Sequence, residues 1–133
     1  MIVRERLQQE VLQAAAMGYT HFISGFATGA DLLFADIVAE LKRTYPITLE
    51  AAIPYRNRLR TPDLHFQRLI KDCDRVTVLT EKYSKGCFML RNRYMVDQSS
   101  LVLAVYDGRK TGGTAATVKY AQSVGCEAKI IRV

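Results

Sequence analysis

Long apolar runs, paired cysteines and clustered histidines are all missing from this 133-residue sequence, and each absence closes off a class of function. No apolar stretch approaches the roughly 20 residues needed to cross a bilayer, so no membrane partner is expected. The opening Met1-Ile2-Val3-Arg4-Glu5-Arg6 holds no apolar signal core, and the expected location is cytoplasmic. Cys73, Cys87 and Cys126 are odd in number and form no Cys-x-x-Cys pair. They read as reduced thiols, not as disulfides or zinc ligands, so no metal or cofactor is expected. His21 and His65 stand alone, with no Ser or Cys nucleophile at a known spacing, which argues against a hydrolytic triad.

What remains is the composition of an ordinary globular domain, with 49% hydrophobic and 24% charged residues. A chain of this length buries roughly 68% of its unfolded surface, enough for one core, so residues 1–133 are read as a single domain. The net charge of +6 suits an anionic ligand or a nucleic acid without requiring either.

Two hydrophobic periods alternate along the chain. Leu7, Val11 and Ala14 mark one face of a helix that Gly18 stops. Residues 21–25 read as a short strand. Leu33, Ile37, Val38 and Leu41 make the apolar stripe of a helix over 31–45. A strand over 47–53 is closed by Pro54, residues 55–63 read as a loop, and 64–72 as a short helix. Residues 75–80 form a β-rich strand, 81–86 a loop, and 88–98 a helix. The run Leu101-Val102-Leu103-Ala104-Val105-Tyr106 predicts a strand buried on both faces. A turn-rich segment over 107–113, a helix over 114–124 ended by Gly125, and a strand over 128–133 complete the chain. Strict alternation predicts an α/β fold: a Rossmann-like, three-layer α/β/α domain with a mainly parallel sheet of about five strands. Ligands of such sheets sit beyond the carboxyl ends of the strands.

Two strand ends carry glycines. The first is Ser24-Gly25-Phe26-Ala27-Thr28-Gly29-Ala30-Asp31, and the second is Asp107-Gly108-Arg109-Lys110-Thr111-Gly112-Gly113-Thr114. Glycine lets a backbone approach a ligand closely, and the first amides of a helix lack internal partners and carry its positive dipole end. A phosphate is stabilised there by both effects. Ser24, Gly25, Ala27, Gly29, Ala30 and Asp31 are therefore ligand-binding candidates in the first loop, and Asp107, Gly112, Gly113 and Thr114 in the second. Arg109 and Lys110 would supplement the second. Asp31 would repel an adjacent phosphate, so it is expected to cap the helix, order the loop or meet a ribose hydroxyl. Neither loop has GxGxxG spacing or the lysine of a P-loop. Each alone could be turn chemistry, but two on one sheet edge favour a shared pocket.

Arg91 could pair with a phosphate or carboxylate, and Asp97 could contact Arg91 or Arg93. Arg56, Arg58 and Arg60 alternate beside Tyr55, as a phosphate clamp, a nucleic-acid contact or simply a solvated loop. With no stacking aromatics seen between those arginines, nucleic acid is the weaker reading.

Together, Ser24-Gly25-x-x-x-Gly29-Ala30-Asp31, Arg91-Asn92-x-x-Met95-Val96-Asp97, Tyr106-Asp107-Gly108 and Gly112-Gly113-Thr114 resemble the YpsA-like family, over nearly the whole chain. That family belongs to the SLOG superfamily, which joins the DNA-processing protein DprA with the LOG cytokinin-activating enzymes. The resemblance implies a Rossmann-like fold and a pocket for nucleotides or nucleotide-derived ligands. LOG enzymes cleave the base from a nucleoside monophosphate, using a helix arginine, which Arg91 matches, and a PGGxGTxxE loop. Gly112-Gly113-Thr114 resembles the glycine part of that loop. Ala115, Ala116, Thr117, Val118 and Lys119 follow, so the essential carboxylate is missing and no catalytic residue is assigned. Family members also open with a strand before the first helix, whereas this sequence opens at the helix. A sheet lacking that strand would expose unpaired edges, so a homo-oligomer, in the simplest case a dimer, is expected. The expectation is a ligand-binding or sensing domain, with LOG-like glycosidic cleavage and DprA-like nucleic-acid binding as alternatives.

Overall fold

The computed structural model describes residues 2–106, 108 and 112–132. Helices and strands alternate without exception: α1 (Ile2–Ala16), β1 (His21–Ser24), α2 (Ala30–Leu41), β2 (Thr48–Tyr55), a short 3-10 helix (Arg56–Arg60), α3 (Leu64–Lys71), β3 (Arg75–Thr80), α4 (Cys87–Asp97), β4 (Leu101–Tyr106), α5 (Gly113–Ser123) and β5 (Glu127–Arg132). Local chemistry explains several boundaries. The Asp63 carboxylate caps α3, accepting from the amides of His65 at 2.9 Å and Phe66 at 3.4 Å. Leu7, Val11 and Ala14 of α1 are all buried, as one helical stripe should be.

The strands pair in parallel, with β1 on β2, β2 on β3 and β4 on β5. Helix α1 packs on α2 and α2 on α3, while α4 packs on α5 and lies against β2 and β3. The helices therefore form two layers around the strands, the three-layer arrangement that strict alternation predicts. The core runs through Leu7 and Val11 of α1, Ile37 and Val38 of α2, Leu49 and Ile53 of β2, Phe66 of α3 and Ile131 of β5. Each such side chain contributes roughly 1.5–3 kcal/mol on burial.

The sheet departs from the expected single unit. It is split into a three-stranded part, ordered β1-β2-β3, and a two-stranded part, β4-β5. A cavity of about 410 Å³ separates them, lined by His21 to Gly25 on one side and Leu101 to Val105 on the other. Arg91, near the start of α4, reaches the Gly25 carbonyl, and Tyr94, one turn on, reaches Glu50 near the start of β2. Helix α4 thus lies over β2 and β3 and reaches the loop that leaves β1 through Arg91.

This gap also explains why β4 is not buried on both faces as its composition suggests. Only Ala104 is buried, and its neighbours are half-exposed, because a cavity lies where a strand would flank them. Two smaller corrections concern β2 and the segment after it. The strand does not stop at Pro54 but runs to Tyr55. Strand β1 pairs with β2 only as far as Ala51, so the amide that Pro54 lacks has no ladder to serve on that side. The segment expected to be loop contains the 3-10 helix of three arginines.

Candidate functional site

The first glycine loop leaves β1 at a sharp bend that its own side chains hold. Ser24 Oγ donates to the Asp31 carbonyl at 2.8 Å and accepts the Phe26 amide at 3.2 Å. Asp31 Oδ2 accepts the Ala27 amide at 3.3 Å. Asp31 therefore orders the loop and does not cap α2, whose N-cap Gly29 receives no side-chain bond. Phe26 is buried with φ of 56°, a left-handed conformation unfavourable for an aromatic residue. It is held there edge-on against Phe66, with ring centroids 5.4 Å apart.

Gly25 sits where nothing larger fits. A Cβ on it would lie 2.8 Å from Asp31 Oδ2 and 3.0 Å from Arg91 Nη1. Arg91, only 7% exposed, donates through Nη1 to the Gly25 carbonyl at 2.7 Å and through Nε to Asn92 Oδ1 at 2.8 Å. The structure thus removes Arg91 from the solvated surface and sets it against the first loop. Burial pushes the Asp31 carboxyl above its ordinary range, while the Arg91 charge and the Ala27 amide pull it back. Burial likewise lowers the Arg91 guanidinium, with the Asp31 charge opposing that shift and Arg58 adding to it.

The second loop is built differently. Gly112 is the N-cap of α5, with φ 106° and ψ 173°, a region that only glycine occupies readily, and no side chain caps the helix. Gly113 and Thr114 open α5 and are exposed. Asp107, Arg109, Lys110 and Thr111 lie outside the described residues.

The two loops meet at the cavity beside β1 and β4. Ser24, Gly25, Ala27, Ala30 and Asp31 line it from the first loop, Arg91 from α4, and Gly113 and Thr114 from α5. Gly29 and Gly112 flank that lining as the N-caps of α2 and α5. Asp31 is the one carboxylate among the described lining residues. The arrangement can hold an anion at two uncapped helix starts and a hydroxyl group at a half-buried carboxylate.

Other candidates lie elsewhere. Asp97 accepts from the Tyr120 hydroxyl at 2.6 Å, not from either arginine. Arg56 is committed to Glu81 through two bonds of 2.7 and 2.9 Å, so it does not join a three-arginine clamp. His21 does line the cavity, but at the opposite end of β1 from the first loop, where it joins Thr48 at 2.6 Å and Glu50 at 2.7 Å. Glu50, 1% exposed, also accepts from Thr77 and Tyr94. Burial alone would raise its carboxyl, but the bonds from His21, Tyr94 and Thr77 outweigh it and hold it below the ordinary range. Burial pushes the Cys73 thiol up to about 12, far from a reactive thiolate. Among the described residues no group of three His, Cys, Asp or Glu side chains could hold a metal ion, and no helix is long and apolar enough to cross a membrane.

One grouping escaped the sequence. Tyr55 at the end of β2, Tyr83 after β3 and Phe88 in α4 converge, with ring centroids 5.4 Å apart for Tyr55–Tyr83 and 6.2 Å for the other two pairs. Arg91 lies over Phe88 at 5.9 Å, tying this cluster to the cavity wall. The signals in the sequence were Tyr55 beside Arg56, and Tyr83 between Lys82 and Lys85.

The chain is 26% identical over 130 residues to a UPF0398 protein of Bacillus cereus (strain B4264), covering 92% of the chain and 71% of that relative. It is 27% identical over 116 residues to a UPF0398 protein of Listeria monocytogenes serotype 4a, covering 83% and 64%. It is 30% identical over 118 residues to the uncharacterized SPbeta prophage-derived protein YoqJ of Bacillus subtilis (strain 168), covering 76% and 68%. The family model described as the YspA SLOG family matches residues 1–131, and the chain belongs to that family, YpsA.

Proposed function

We propose that this domain binds a nucleotide or nucleotide-derived small molecule at the mouth of the cavity between β1 and β4. The observation that carries the reading is the convergence of two uncapped helix starts and a buried arginine on one cavity of about 410 Å³. A volume of that order suits a small-molecule ligand. The two loops would divide the ligand between them. The phosphate belongs at Gly113 and Thr114, where the α5 amides and the Thr114 hydroxyl can donate and none of the α5 lining residues carries a carboxylate. The sugar belongs at Asp31, which accepts hydroxyl donors but repels phosphate.

Binding, not glycosidic cleavage, is the favoured activity. Ala115, Ala116, Thr117, Val118 and Lys119 come after Thr114, and none supplies the carboxylate that would stabilise a ribosyl cation or activate water. Thr117 Oγ1 turns back to the Gly113 carbonyl at 2.9 Å.

Thermal-shift titration with AMP, ADP-ribose and NAD tests the reading. A ligand at 100 times its Kd stabilises by about 2.7 kcal/mol, so the midpoint should rise by about 5 °C or more. No shift with any of the three at millimolar concentration would remove the proposal. Incubation with nucleoside monophosphates should release no free base above buffer.

A further inference from the structure

We propose that the aromatic cluster Tyr55–Tyr83–Phe88, with Tyr83 and Phe88 exposed and basic residues beside it in the sequence, is a platform on which bases of a single-stranded nucleic acid stack. It is separate from the nucleotide site, and none of the three rings lines the cavity.

Three rings from three chain segments come together at one end of the sheet, at 5.4 to 6.2 Å and near-perpendicular to inclined angles. Tyr83 is 63% exposed and Phe88 39% exposed. Large rings left open to water in a mutual cluster present uncovered apolar surface, and a base can cover such surface. The Arg56–Glu81 fork fastens the segment carrying Tyr83 to the end of β2, which carries Tyr55. That exposed pair biases the two segments together only slightly, and the mutual packing of the rings adds to it, so part of the ordering precedes any ligand.

The charge around the rings selects the partner. Arg58 and Arg60 come after Tyr55, and Lys82 and Lys85 flank Tyr83. Glu81 is the sole acid in 55–60 and 81–85, and Arg56 already neutralises it. An exposed apolar surface whose own chain segments carry four cations fits a polymer that alternates flat apolar bases with phosphates. Stacking tolerates any base, because every base has a π-face, so composition-independent binding of single strands is expected. In a duplex the base faces are already stacked and unavailable.

The test is fluorescence anisotropy of labelled (dT)16, at 50 and 200 mM NaCl, with the full chain. The chain contains no tryptophan and seven tyrosines, so the part of the tyrosine quenching that Tyr83→Phe removes reports base stacking at the cluster. Wild-type binding should weaken about 50-fold between the two salts if four phosphates are contacted. Tyr83→Ala should weaken binding about tenfold or more, Tyr83→Phe should retain it, and Lys82→Gln with Lys85→Gln should flatten the salt dependence. A duplex of equal length should bind more weakly than the single strand. Any of three results would overturn the proposal: no (dT)16 binding at 50 mM salt, unchanged affinity in Tyr83→Ala, or preference for duplex. AMP titration of Tyr83→Ala keeps the two sites distinct, because its response should match wild type. If AMP fails to bind while (dT)16 binds, only the cavity reading falls.

Discussion

The loop after β1 and the loop before α5 bring glycines to the same cavity and use them in opposite ways. In the first, Gly25 makes room for the protein's own groups: Asp31 and Arg91 fill the space a Cβ would need, and Ser24 and Asp31 consume the Phe26 and Ala27 amides. In the second, a Cβ on Gly113 would meet nothing within 4 Å, and no side chain caps the helix. At Gly25 the first loop is filled by the protein's own groups and shapes the cavity, whereas Gly113, like Gly29 at the start of α2, stays open and can receive something. Sequence spacing does not separate these cases, because the difference lies in which distant side chain arrives at each glycine.

The largest test of that contrast is Arg91→Gln. It removes the charge that offsets half-buried Asp31 and weakens the bond from buried Arg91 to the Gly25 carbonyl, and should cost about 3 kcal/mol at pH 7. The sign with pH is set by Asp31, whose carboxyl is raised in the fold. Ionised Asp31 lowers stability as pH climbs from its unfolded value through its folded one, and without Arg91 that penalty grows. Urea melts at pH 4 and pH 8 should show the variant's deficit larger at pH 8; an equal deficit would mean that Arg91 only packs.

Next in size is Gly25→Ala, expected to lose about 2 kcal/mol because the new Cβ meets Asp31 and Arg91. A midpoint within about 1 °C of wild type in a thermal melt would show that the first loop can yield. Asp31→Asn bears on ligand polarity. AMP should bind at least about tenfold more weakly, while inorganic phosphate should bind more tightly once the neighbouring charge is gone. If calorimetry shows both moving in the same direction, the assignment of sugar to the first loop and phosphate to the second fails. The smallest effect belongs to Gly113→Ala, which should stabilise by about 0.5 kcal/mol, since the site is helical and open. A destabilised Gly113→Ala would erase the contrast between the loops.

The architecture was legible because period and punctuation agree. Stripes such as Leu7–Val11–Ala14 and stops such as Gly18 are local signals, and all five helices and five strands are foreshadowed by them. The candidate loops were legible for the same reason, as glycines at strand–helix junctions. Pairing was not. The apolar run 101–106 announces a strand but not its neighbour, and here one neighbour is a cavity. Burial of Arg91 depends on Gly25, 66 residues away, and no local pattern encodes that. The aromatic cluster was missed because Tyr55, Tyr83 and Phe88 belong to separate elements and meet only once β2 and β3 are paired.

The interruption between β1 and β4 has a consequence for how the molecule opens. Backbone bonding is continuous within each part of the sheet, but among the described residues no strand pairing joins the two. Amide hydrogens of β2, flanked by strands on both sides, should exchange with deuterium only on global unfolding, whereas those of β4 and β5 can be released in a smaller fluctuation. The domain thus carries a built-in weak plane, and whatever occupies the space beside that plane acts as a clasp on its cooperativity.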